Sequence, residues 1–406
     1  MSHTVARSVP DEVGPDFVES CPACNAKGLR IFHEQQAVPV HSCRLVATRE
    51  EAEAFPRGSL RLGLCLECGF ITNTAYDAAL QSYFVGYEET QGFSPRFREF
   101  MVELADRWID RYDLKGKDVL EIGCGKGEFL VAMCERGVGR GTGIDPAIVP
   151  ERVESAAASR IGFIEDLYGE KYAHLTGDAV VCRHTLEHIQ PVADFLRVIR
   201  RSLEGRPDTA VLFELPDALR VLRECAFWDV YYEHCSYFTP GSLASLFRTC
   251  GFDVLALELD YDAQYILIEA KPGDGNAQQF ELEESPAEVA AAVDGFEREL
   301  AAVQTRWQDE LRELRARGGR AVVWGSGSKG VAFLTTLGVT DEIGCVVDIN
   351  PYKHGKFMAG TGHEIVAPDA LRDYRPDLVV AMNPIYLDEI RDELHRLGVT
   401  ARLEAV

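Results

Sequence analysis

The stretch VLEIGCGKGEFL, Val119 to Leu130, reads as a strand that passes through a glycine-rich turn into a helix. Gly123, Gly125 and Gly127 let the backbone turn tightly and approach a ligand closely. The same alternation continues on both sides. A helical pattern, FREFMVELADRWIDRY, precedes it, and GRGTGID, AVVCRH, ADFLRVIRRSL, AVLFELP and SLASLFRTCGF follow as strand, strand, helix, strand and helix. Strands alternating with helices of this length predict an α/β fold with a mainly parallel sheet.

The 406 residues exceed one ordinary core and predict two or three domains. Lys and Arg number 42 against 65 Asp and Glu, a formal charge of −23. That excludes nucleic acid as the expected partner, because phosphate neutralisation needs a basic surface. No apolar run is long enough for a bilayer, so no membrane association is expected. The opening MSHTVARSVPDEVGPDF has no hydrophobic core region, which predicts a flexible arm over 1–16, no signal peptide and a cytoplasmic location. A cysteine-paired region follows over 17–78 and the glycine-loop domain over 79–272. A linker with a long helix is expected over 273–319, and a second strand–loop–helix unit over 320–406. In the long helix, Ser285-Pro286-Ala287-Glu288 is a capping box. The stripe Val289, Val293, Phe296, Leu300, Val303, Trp307, Leu311 and Leu314 predicts a helix that docks domains on one another, with a homodimer contact as the lesser reading. Monomer and homodimer both stay open.

Cys21-x-x-Cys24 and Cys65-x-x-Cys68 bracket a 40-residue insert. Two such knuckles bring four thiolates to the corners of a tetrahedron, the arrangement of a closed, structural Zn2+ site. His41 and Cys43, between them, are weaker candidates.

Three additions tilt the glycine loop towards S-adenosylmethionine rather than a dinucleotide. Glu121 precedes it, and the loop bears no Lys-Ser/Thr aimed at phosphate. Asp145, ending the next strand, can bond both ribose hydroxyls, and Asp166 stands where an adenine amino group would be read. Cys182-Arg183-His184-Thr185-Leu186-Glu187-His188 resembles the segment after the fourth strand of class I methyltransferases. There His184, nearer the strand end, is the better active-site candidate, and His188 reads as a packing residue. About 100 residues beyond the loop comes YYEHCSY, Tyr231 to Tyr237. His234 is flanked by Tyr231, Glu233 and Tyr237, and an imidazole beside a carboxylate is the usual equipment of a general base.

The order of the cysteine pairs, EIGCGKGEF, the YYEH segment, WGSGSKG and VVDINPYKHGKFMAG resembles the sugar C-methyltransferases over about residues 18–400. The resemblance implies a small N-terminal zinc-binding domain, a class I methyltransferase Rossmann-like domain and a C-terminal Rossmann-like domain. It implies S-adenosylmethionine as methyl donor and a nucleotide-linked 4-keto-deoxysugar lying between the domains. It puts removal of the proton next to the ketone on His234, with Glu233 and Tyr231 in support. It also implies a tyrosine from the segment joining the zinc and methyltransferase domains, for which Tyr87 is preferred and Tyr83 is the other match. The chain departs from the family pattern at Tyr232, where many members carry His, and in its longer insert between the cysteine pairs.

Trp324-Gly325-Ser326-Gly327-Ser328-Lys329-Gly330 opens a helix after a strand, and its amides with Ser326, Ser328 and Lys329 could hold a diphosphate. Asn383-Pro384-Ile385-Tyr386 reads as a strand-end turn. The expected activity is S-adenosylmethionine-dependent C-methylation beside a ketone, in natural-product biosynthesis. The alternatives are a methyltransferase for C, N or O on a non-sugar small molecule, and a noncatalytic binding or scaffold protein.

Overall fold

A computed structural model describes residues 20–81, 83, 86–276 and 278–406, so the expected arm at 1–16 lies outside the described residues. Three sheets form. The largest runs Phe252–Asp260, Tyr265–Pro272, Ala210–Pro216, Ala179–Arg183, Asp118–Ile122, Arg140–Ile144, Ile161–Ile164. The first two strands join antiparallel and the other five are parallel. The strand Asp118–Ile122 lies between Arg140–Ile144 and Ala179–Arg183, so chain order reverses at its carboxyl end. Such a switch point leaves a crevice where α/β sheets bind ligands.

A five-stranded parallel sheet, ordered Ile365–Val366, Ile343–Val347, Ala321–Trp324, Leu378–Ala381, Arg402–Ala405, forms the C-terminal part. The third sheet is antiparallel: Arg30–Pro39, Arg57–Leu64, Ile71–Asn73 and then Ser236–Tyr237. Its last strand comes from the YYEHCSY segment, which the sequence places some 160 residues away. Thr72 Oγ1 and Asn73 N both donate to Cys235 O at 2.9 Å, which fixes that join.

The long helix spans Pro286–Ala316, starting at the expected Ser285–Glu288 capping box. Val289, Val293, Phe296, Trp307 and Leu311 are buried on one side of it. They share one hydrophobic cluster with Phe32, Leu60, Val221, Phe227, Phe333 and Val380, drawn from the N-terminal, central and C-terminal parts. Leu300, Val303 and Leu314 pack at its margin. The stripe therefore sits at the junction of all three. Among the described residues, no helix is long and apolar enough to cross a membrane.

Candidate active site

A cavity of about 1430 Å³ opens at the switch point and runs to the second glycine loop. Gly123, Gly125 and Gly127 all take positive φ (71°, 52° and 81°), which side chains rarely adopt. At Gly123 a Cβ would collide with the Thr185 hydroxyl. Gly127 has a different task from ligand contact: it caps the helix Glu128–Glu135 and a Cβ there would strike the Phe163 ring, so it serves helix packing. Asp145 accepts from Gly125 N at 2.9 Å and Ala147 N at 2.7 Å, which aims its carboxylate into the crevice beside the loop. Burial raises its pKa despite those two amides. Glu121 also lines the cavity, and its buried Oε2 has no hydrogen-bond partner among the described residues. Burial pushes its carboxyl up to about 8. An open glycine cradle, an amide-held carboxylate and an orphaned acceptor fit a nucleoside-bearing donor. Asp166 lies farther along the cavity wall, tied to Lys171 and Tyr172. Lys126, which sequence reading passed over, buries its ammonium against Tyr87 O and Ala147 O, both at 2.7 Å.

Tyr231, His234, His188, Tyr83 and Tyr87 form another stretch of the same wall. The Tyr231 hydroxyl lies 2.9 Å from His234 Nε2. His234 is only 7% exposed, and burial, with His188, His184 and Lys329 nearby, holds its pKa well below the usual value. Both effects favour the neutral ring with its lone pair. His188 stands with its ring 4.9 Å from that of His234 and its Nδ1 3.0 Å from the Tyr83 hydroxyl, so this supposed packing residue adjoins the base candidate. His184 takes a left-handed φ of 48° and sits 2.7 Å from Glu214. Burial opposes its proton, but Glu214 and Glu187 outweigh burial and raise it to about 9. Those carboxylates favour the protonated ring, a form suited to stabilising negative charge rather than to taking a proton.

Glu233 does not support His234 as expected. Its side chain turns the other way, off the cavity, to meet His41 Nδ1 at 3.0 Å and Ser42 N at 2.9 Å. Burial opposes its charge, but His41 and a hydrogen bond from Tyr87 keep its pKa low. Tyr232 and Glu233 form a turn that brings Tyr231 and His234 together on the cavity side and carries Glu233 away from it. Tyr237 is also withdrawn from the site. Its strand position turns it behind Tyr231, where its hydroxyl meets that residue's backbone N and O at 3.3 and 3.2 Å.

At the far end, Ser328, Lys329, Gly325 and Gly327 line the cavity. Ser326 does not, because its hydroxyl and amide are both spent on Asp348. Lys329 is paired with Asp229 at 2.8 Å, and Asp229 also holds Arg220 at 2.6 Å. Asn383 and Tyr386 lie on the wall too. Asn383 exchanges amide hydrogen bonds with Gln264, and Tyr386 bonds Tyr261 and Gln91. The strand-end turn thus joins the C-terminal and central sheets.

Away from the cavity, the sulfur atoms of Cys21, Cys24, Cys65 and Cys68 all lie within 4.8 Å of one another. Cys21–Cys68 and Cys24–Cys65 are 3.7 and 3.6 Å apart, spacings at which four thiolates surround one tetrahedral ion.

The family described as "Methyltransferase domain" matches residues 97–257, and "C-methyltransferase C-terminal domain" matches residues 271–400. C-methyltransferase NovU of Streptomyces niveus is 30% identical over 317 residues, 72% of this chain and 73% of that protein. The ubiquinone biosynthesis O-methyltransferase of Pseudomonas aeruginosa (strain LESB58) is 35% identical over 169 residues, 36% of this chain and 69% of that protein. Among solved structures, Burkholderia thailandensis 1,6-didemethyltoxoflavin-N1-methyltransferase aligns with a TM-score of 0.33 at 20% identity, covering 44% of this chain and 80% of that one. The O-methyltransferase covers about a third of the chain, whereas NovU spans nearly three-quarters of it, and a C-methyltransferase family continues past the donor-binding half. On that extended match the chain belongs to the C-methyltransferase family and is an S-adenosylmethionine-dependent methyltransferase.

Proposed function

We propose that the enzyme methylates carbon next to a ketone on a nucleotide-linked deoxy-keto-sugar, with His234 as the base. The observation that carries the reading is that His234, with Tyr231 at 2.9 Å, lines the same cavity as the Gly123–Gly125 loop and Asp145. When bound, S-adenosylmethionine supplies a methyl group already made electrophilic by its sulfonium. Asp145 and the side-chain-free backbone at Gly123 and Gly125 hold that donor, and Glu121 accepts a polar hydrogen from it. His234 takes the proton beside the carbonyl, and the C–H electron pair becomes an enolate. Tyr231 and Tyr83 donate to the developing oxyanion, the usual route to stabilising such charge, and His188 Nδ1 positions the Tyr83 hydroxyl. The cavity then has to bring the carbon into line with the methyl group. Ser328 and the amides at the start of Ser328–Leu337 contact the nucleotide end, since a helix N-terminus favours phosphate. Cys21, Cys24, Cys65 and Cys68 hold a Zn2+ that closes the two N-terminal knuckles and takes no part in the reaction. The unpaired thiols throughout the chain support a cytoplasmic setting.

The test is proton exchange. In D2O, with a nucleoside-diphosphate-linked 4-keto-deoxysugar and no methyl donor, the wild-type enzyme should exchange the proton beside the ketone. His234→Asn should lower exchange and turnover by about 10²–10⁴-fold, the usual weight of a general base, while S-adenosylmethionine binding is unchanged. Methyl transfer without any exchange points to an oxygen or nitrogen acceptor instead.

A further inference from the structure

Glu187, His188 and His234 have donor atoms within 4.8 Å of one another, on the cavity wall. Both carboxylate oxygens of Glu187 are buried with no hydrogen-bond partner among the described residues. Its closest ionic neighbour, His184 Nδ1, is 3.7 Å from Oε1, beyond hydrogen-bond reach. His184 gives that carboxylate only this ionic contact and no hydrogen bond, which leaves both buried oxygens open as ligands. The two imidazoles are prepared as well. His188 Nδ1 donates to the Glu233 carbonyl oxygen at 3.0 Å, which leaves the Nε2 lone pair free. His234 Nε2 is held by the Tyr231 hydroxyl at 2.9 Å, so its opposite nitrogen remains available. Metal-bound histidines carry this outer hydrogen bond, which fixes the ring and raises its strength as a ligand.

We propose that Glu187, His188 and His234 form a second metal site, separate from the four cysteines. It takes one borderline divalent cation such as Zn2+ or Co2+. Two imidazole nitrogens and one carboxylate select that class over Mg2+ or Ca2+, which prefer all-oxygen ligands. The fourth position faces the cavity, which is also the entry path. A bound cation occupies His234 and so blocks proton abstraction. That consequence rests on the base role proposed above, whereas the binding does not.

The experiment titrates zinc-loaded, tag-free, full-length enzyme with Co2+. One further equivalent should bind, with visible d–d absorption and no thiolate-to-cobalt charge-transfer band. Glu187→Gln and His188→Asn should each weaken that binding by more than about 100-fold, beyond the cost of losing an outer-shell partner. Zinc content and thermal unfolding of the variants serve as controls. No second equivalent, or equal retention by both variants, overturns the site. In the same samples, Co2+ should stop deuterium exchange into the nucleoside-diphosphate-linked 4-keto-deoxysugar. Binding with undiminished exchange leaves the metal site standing and overturns His234 as the base instead.

Discussion

His234 sits where an added proton is least welcome, buried and facing His184 and Lys329. That placement favours the neutral ring, and on the proposed base role an abstracted proton should not stay long. Asp145 poses the opposite problem, a carboxylate that must remain charged in a crevice. Gly125 N and Ala147 N make that tolerable. Asp145→Asn keeps the shape and removes the charge, so the hydrogen bonds to a ribose lose their charge assistance. Hydrogen bonds to charged groups contribute about 1.5–3 kcal/mol, so calorimetry should show S-adenosylmethionine affinity falling about 10–100-fold. Unchanged affinity removes Asp145 from the donor site. The catalytic histidine candidate, the glycine loop and Asp145 were all legible as residue types at characteristic spacing. The partners of Glu233 were not. His41 lies 192 residues away, and no local pattern says which way a side chain in the Tyr232–Glu233 turn will point.

At the scale of elements, patterns with a period were read well and contacts between elements poorly. The helix Pro286–Ala316 announced itself through its capping box and its stripe of apolar residues. What it packs against depends on three distant segments at once. The strand Ser236–Tyr237 escaped because two residues cannot show an alternation, and its pairing comes wholly from Ile71–Asn73. Trp307 tests the helix. It is fully buried, and its ring lies edge-on to Phe333 with centroids 5.4 Å apart. Truncating a buried aromatic costs about 3–5 kcal/mol. Trp307→Ala should therefore show a clear drop in Tm by calorimetry, with turnover also falling because the cavity is walled by residues from both sides of this junction. A variant with wild-type Tm and turnover would show that the helix does not hold the parts together.

Taken whole, the molecule couples its cysteine cluster to its reacting end through one short path. Cys65 and Cys68 lead directly into Ile71–Asn73, that strand pairs with Ser236–Tyr237, and His234 stands two residues before it. Thr72 and Asn73 grip Cys235 O at 2.9 Å, so the backbone carrying His234 is anchored on the N-terminal sheet as well as on His188 and Ile189 of the donor-binding part. The donor crevice has its own supports in the parallel strands Asp118–Ile122 and Arg140–Ile144. This separation yields an asymmetric prediction for metal removal. Stripping the four-cysteine site with a chelator should loosen the knuckles, since structural zinc sites contribute directly to folding. Methyl transfer and deuterium exchange should then collapse together, while S-adenosylmethionine binding by calorimetry persists within a few-fold, and adding back one equivalent of Zn2+ should restore both activities. Metal content measured by mass spectrometry tracks the loss. Full turnover by demonstrably metal-free enzyme would cut the link from Cys68 to His234, and loss of donor binding in step with turnover would mean that the cluster supports the whole chain rather than the base.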